Sequence, residues 1–210
     1  MSRWSSIERD LRASGAQLIA GVDEVGRGPL AGPVVACAII MPPGQRAIAG
    51  VDDSKQLDAP ERERLARIIR QRALALSLGA ASVREIAALN IYQATVLAMR
   101  RALRRLAVAP DAVLIDGKPI RTLEIPHRAV VGGDARCYSV ACASIVAKVT
   151  RDRLMSSLSV RYPSYGWRQN SGYGTPSHLT ALRALGLTSH HREGFCRSVT
   201  QSFGDSSFTR

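Results

Sequence analysis

Residues 17–42 constrain this chain more than any other stretch. An apolar run (Leu18, Ile19, Ala20, Val22) ends on adjacent carboxylates, Asp23 and Glu24, and Gly26-Arg27-Gly28 follows. A second run, residues 33–41, then carries no charge at all. This pattern predicts two strands, residues 17–24 and 33–42, paired antiparallel across a turn whose only bulk is one guanidinium. The second strand is apolar throughout, so both of its faces are expected to be buried. Glycines at the turn let another group come close to the backbone, and an acidic pair at a strand end calls for a reason.

The remaining elements follow in order. Trp4, Ile7 and Leu11 recur at helical spacing and predict a short N-terminal helix. Asp58 with Glu61 resembles a capping box, Pro60 lying in the first turn; the helix it opens would turn Leu65, Ile68, Ile69 and Leu76 inward. Residues 73–83 read as a third strand. Tyr92, Val96, Met99, Leu103 and Leu106 form a second helical stripe backed by arginines. Residues 111–117 form a buried strand ending on Asp116, and residues 128–134 repeat the pattern and end on Asp134. A helix rich in small residues spans 136–153, a glycine-tyrosine loop spans 162–174, and Thr175-Pro176 opens a last amphipathic helix. Strands followed by alternating helices and strands give an α/β fold, a mixed central sheet flanked by helices with a small helical C-terminal portion. A chain of 210 residues is expected to make one domain, residues 1–196, with a polar, mobile tail over 197–210.

Composition narrows the function class. The net charge of +12 rests almost entirely on arginine, with lysine only at 55, 118 and 148. This favours a polyanionic partner such as nucleic acid, although an arginine-rich proteome would give the same excess. The four cysteines contain no C-x-x-C pair and read as reduced packing residues. His190, His191 and Cys196 lack a nearby fourth ligand for zinc. Residues 1–15 hold no signal segment, and no apolar run is long enough to cross a membrane. A soluble, cytoplasmic protein is expected.

Three segments thus end on acids: Asp23 with Glu24, Asp116, and Asp134. Clustered carboxylates suit hard cations such as Mg2+ or Mn2+, and two such ions activate water against a phosphodiester. Each acid also has an ordinary reading: Asp116-Gly117 as a hairpin turn, Asp134 as a helix N-cap, Asp23-Glu24 as loop charge. The glycine turn matches neither nucleotide-binding fingerprint. Tyr165 and Tyr173 are positioned to stack on a sugar or base, or to pack in the core.

Residues 23–34, Asp-Glu-Val-Gly-Arg-Gly-Pro-Leu-Ala-Gly-Pro-Val, resemble the signature of type 2 ribonuclease H, the bacterial ribonuclease HII family. The likeness continues through Asp53-Ser54-Lys55, Ile115-Asp116-Gly117, Gly133-Asp134-Ala135, residues 143–152, and Gly172-Tyr173-Gly174-Thr175. The blocks occur in family order over residues 18–196. The resemblance implies a ribonuclease H-like fold and an endoribonuclease using two divalent ions, Mg2+ or Mn2+, in the substrate complex. It implies hydrolysis of the RNA strand of RNA·DNA hybrids and cleavage 5′ to single ribonucleotides embedded in DNA, leaving 3′-hydroxyl and 5′-phosphate ends. Carried over, Asp23, Glu24, Asp116 and Asp134 hold the metals. Gly26, Arg27 and Gly28 read the 2′-hydroxyl, Tyr173 packs against the neighbouring sugar, and Lys55 and Asn90 contact phosphate or backbone. Asn170-Ser171 departs from the family at a position where a basic residue is common. A monomer is expected; Gln201, Phe203 and Phe208 bear only a faint likeness to a sliding-clamp peptide. Two other classes stay open: a related carboxylate-metal DNA nuclease, and a basic RNA-binding protein without catalysis.

Overall fold

A computed structural model of the chain describes residues 4–200. In chain order its elements are α1 (Ile7–Ala13), β1 (Ile19–Val25), β2 (Val34–Ile40), α2 (Ala59–Arg72), β3 (Ala75–Ala81), α3 (Val83–Arg104), β4 (Ala112–Asp116), β5 (Arg128–Val130), α4 (Gly133–Arg136), α5 (Tyr138–Arg161), α6 (Trp167–Asn170), α7 (Pro176–Leu185) and α8 (Glu193–Thr200). The five strands form one mixed sheet in the order β3-β2-β1-β4-β5. β2 runs antiparallel to both β1 and β3, while β1, β4 and β5 run parallel.

Strand periodicity divides the core. Val34, Ala36, Ala38 and Ile40 face α3; Cys37 and Ile39 face α2 and α5. Every residue of β2 is buried, as its uniform apolarity predicts. The α5 helix lies directly on β1: a Cβ added at Gly21 would stand 2.2 Å from the Ser139 carbonyl carbon. Its first turn has no cap of its own. Instead Glu8 of α1 accepts from Ser139 N–H (2.9 Å) and Oγ–H (2.5 Å), placing a carboxylate where the helix dipole favours one.

Several local expectations are corrected. Leu76 belongs to β3, not to the preceding helix. Asp58 caps α2 through Glu61 N–H, but the Glu61 carboxylate pairs with Arg64, so the box is half formed. The small-residue helix runs to Arg161, because buried Met155 anchors it to the C-terminal cluster around Trp167. The glycine-tyrosine loop contains α6, and α7 is followed by α8, which carries helix past residue 196 to Thr200. The faint clamp-like residues lie outside the described residues. Among the described residues the four cysteines are buried thiols, and no helix is long and apolar enough to cross a membrane.

Candidate active site

Parallel pairing brings the acids together. Val22 of β1 is in register with Ile115 of β4, so Asp23 and Asp116 follow at adjacent carboxyl ends of neighbouring parallel strands, where open α/β sheets place their ligands. Asp134 sits not at the end of β5 but in the one-turn helix α4 beyond it, and Gly132, not Asp134, precedes that helix as its cap. Asp116 Oδ1 accepts Gly133 N–H (2.7 Å), which fastens α4 to β4. A cavity of about 470 Å3 opens here, lined by Asp23, Glu24, Gly26, Arg27, Gly28, Ser54, Lys55, Asp116, Ser144, Lys148 and Tyr173.

The charge in this cavity is under stress. Burial holds the Asp23 carboxyl well above the usual carboxylate range, and Glu24 and Asp116 push it further, against a hydrogen bond from Ser144. Glu24 is raised by burial despite Arg27, whose guanidinium lies 3.2 Å from its carboxylate. Asp116 is raised by burial and by Asp134, against the Gly133 N–H. Lys55 reaches across to Asp134 (3.0 Å), which stabilises its ammonium form. Local hydrogen bonds therefore hold each acid, and among the described residues no three metal-binding side chains already stand as a ligand set.

The glycine loop, residues 26–33, lines the same cavity through Gly26, Arg27 and Gly28. Gly26 has φ +91°, and a Cβ there would meet the Arg151 side chain at 2.1 Å. Two buried guanidiniums hold this loop, and sequence reasoning assigned a role to neither. Arg192 donates from Nε to Gly32 O (2.9 Å), from Nη1 to Arg27 O (2.8 Å), and from Nη2 to Gly26 O (2.5 Å) and Gly32 O (2.8 Å). Arg151 donates to the carbonyls of Pro33 (3.0 Å), Ala31 (3.0 Å) and Ser171 (2.9 Å). Peptide planarity turns the N–H groups of Arg27 and Gly28 away from the Arg192 guanidinium. Burial lowers both arginines, against Tyr173 and Asp152 for Arg151 and with Arg151 adding to it for Arg192, which falls to about 10. The one sequence signal for Arg151 is its place between buried Ala147 and Met155 on α5.

The two candidate tyrosines separate. Tyr165 is buried against Trp167 and donates to Gly186 O (2.9 Å), so it is a packing residue. Tyr173 is exposed, its ring 3.7 Å from where a Gly28 Cβ would stand. Asn90 is not among the residues lining the cavity. It sits at a kink in α3 with φ 69° and ψ 167°, a strained conformation for a residue with a side chain, and its Oδ1 accepts Gln93 N–H (3.1 Å).

A family model described as Ribonuclease HII matches residues 20–198. Ribonuclease HII of Granulibacter bethesdensis is 53% identical over 182 residues, covering 85% of this chain and 83% of that protein. The solved ribonuclease H2 from Pyrococcus horikoshii OT3 superposes with a TM-score of 0.76 at 26% identity, covering 90% of this chain and all of that one. Bst-RNase HIII, solved in complex with Mn2+, shares the fold with a TM-score of 0.73 at 21% identity, over 91% of this chain and 71% of that one.

Proposed function

This chain belongs to the ribonuclease HII family and is therefore a nuclease of the ribonuclease H type, and from that premise we propose that it cuts duplex DNA 5′ to an embedded ribonucleotide, and the RNA strand of RNA·DNA hybrids, leaving 3′-hydroxyl and 5′-phosphate ends. The observation that carries this reading is the cavity itself, which acids from β1 and β4 line together with the glycine loop and Tyr173.

The donor set is carboxylate oxygen throughout, which fits hard divalent ions, and the raised proton affinities of Asp23, Glu24 and Asp116 mark negative charge that a cation relieves. Asp23, Glu24, Asp116 and Asp134 would hold two such ions, Mg2+ or Mn2+, which when bound would supply water activation and charge stabilisation at the leaving oxygen. The chain's own groups do the selecting. The Arg27 and Gly28 N–H groups, oriented through the Gly26 and Arg27 carbonyls that Arg192 holds, offer donors to a sugar, and a 2′-hydroxyl is the one group that separates RNA from DNA locally. Tyr173 packs on the adjacent sugar and admits only a chain in register. Lys55 moves between Asp134 and a phosphate, and Asn90 contacts the backbone further out.

A duplex carrying one ribonucleotide, incubated with Mg2+ or Mn2+ and mapped to the nucleotide, tests this. Cutting at the ribonucleotide's 5′ side is expected, an all-DNA duplex should survive, and Asp116→Asn should abolish cleavage while duplex binding persists. Cleavage of the all-DNA duplex, or full activity in Asp116→Asn, refutes the assignment.

A further inference from the structure

Two imidazoles lie buried behind the cavity and have no part in the reading above. His178 on α7 is fully buried, and His191 is 4% exposed. Their hydrogen bonds leave one consistent arrangement of protons. Thr188 donates its N–H to His191 Nδ1 (2.9 Å), so the proton of a neutral His191 sits on Nε2. Trp167 Nε1–H, a donor only, points at His178 Nε2 (3.1 Å), so His178 carries its proton on Nδ1. From there it donates to the Tyr173 carbonyl (2.8 Å). His191 Nε2–H completes the chain, sharing the single lone pair of His178 Nε2 (3.1 Å) with the Trp167 donor in a bifurcated bond. Burial presses both rings toward the neutral form this pattern requires.

The far end of the chain is tied to the glycine loop. His191 bridges Ala31 as a strand would, Gly32 N–H reaches His190 O (2.9 Å), and Arg192 N–H reaches Leu30 O (2.7 Å). A continuous set of bonds therefore runs from the loop through His191 and His178 to the backbone of Tyr173. The backbone spacing itself is already held one residue earlier, where Gly172 O accepts Leu30 N–H (2.8 Å) and Ala31 N–H (3.3 Å) from the loop; what the imidazole pair adds is a partner that, with Thr175 N–H (2.8 Å), fixes the direction of the Tyr173 carbonyl.

We propose that His178 is a positioning residue: through this tautomer-locked pair with His191 it sets the orientation of Tyr173 toward Gly26–Gly28, and so the width of the slot that receives the sugar. The proposal rests on Tyr173 packing against the substrate, as argued above.

Two measurements on the full chain test it. Long-range proton–nitrogen spectra of the imidazoles at pH 7 should show His178 as the Nδ1–H tautomer and His191 as Nε2–H; a charged His178, or its Nε2–H tautomer, overturns the proposal. The second is a double-mutant cycle on the single-ribonucleotide duplex. Tyr173→Ala and His178→Ala should each lower kcat/KM by about tenfold or more. The double variant should be no worse than Tyr173→Ala alone, and His178→Asn, whose amide can donate to the same carbonyl, should recover most of the loss. Additive losses overturn the proposal while leaving the role of Tyr173 intact. An inert Tyr173→Ala refutes that role instead, and the proposal with it. If His178→Ala does not fold, His191→Leu, which breaks the chain one ring further from Tyr173, takes its place in the cycle.

Discussion

Replacing Arg192 with methionine removes the cation but keeps most of its length. Three loop carbonyls (Gly26, Arg27 and Gly32) lose the four hydrogen bonds they accept from it. At about 2 kcal/mol for each buried acceptor left unsatisfied, the loss is roughly 6 kcal/mol. Against this stands relief from burying a charge. Desolvation holds the guanidinium at about 10, well below an ordinary arginine, a burden on the order of 3 kcal/mol. The balance is a destabilisation of about 3 kcal/mol, which lowers the thermal midpoint of a chain this size by about 6–12 °C. Urea unfolding followed by tryptophan fluorescence measures it directly, Trp167 lying in the adjoining cluster. Arg192→Lys should fall between, since one ammonium cannot span a planar fork of carbonyls. If Arg192→Met unfolds within about 1 kcal/mol of the wild type, the guanidinium does not brace the loop and the account of its orientation fails.

Other outcomes follow from the same geometry. Saturating Mg2+ should raise the thermal midpoint, since ions bound only by the folded state add about 2.7 kcal/mol at a hundredfold excess over Kd; an unmoved midpoint counts against metal binding by the acids. In metal-free buffer at pH 7, Asp23→Asn should be more stable than the wild type. Asp23 binds its proton more tightly folded than unfolded, so its penalty is full above the raised value and gone below about 3.9. The gap between the two proteins should therefore close as the pH falls, and a gap that widens would show the shift to have the opposite sign. Gly21→Ala drives a methyl into the Ser139 backbone and should cost more than about 3 kcal/mol or prevent folding; a wild-type melting curve would mean that α5 does not lie on β1 as described.

Much of this was legible in the order of residues. Strand, acidic pair, glycine turn and strand could be read from residues 17–42 because burial on both faces of β2 demands an unbroken apolar run. That Asp23 and Asp116 meet was not legible from local pattern, since it depends on pairing Val22 with Ile115 across the whole of α2, β3 and α3. The length of α5 escaped because residues 156–157 look polar, while the contact that prolongs the helix, Met155 on the Trp167 cluster, is tertiary. Arg151 and Arg192 were hidden by their kind: in a chain with +12 net charge, an arginine reads as surface, and only coordinates reveal that these two spend their donors on backbone carbonyls. In sequence His191 suggests only a zinc ligand, because a hydrogen-bonded imidazole pair leaves no spacing rule behind.

The loop that Arg192 grips leaves the ribosome with residues 26–33, while its grip is supplied about 160 residues later. A nascent chain stalled at residue 180 would already carry Asp23, Glu24, Asp116 and Asp134, yet its glycine loop would have no brace from the C-terminal segment. Translation itself thus postpones the full bracing of the loop until residue 192 has emerged.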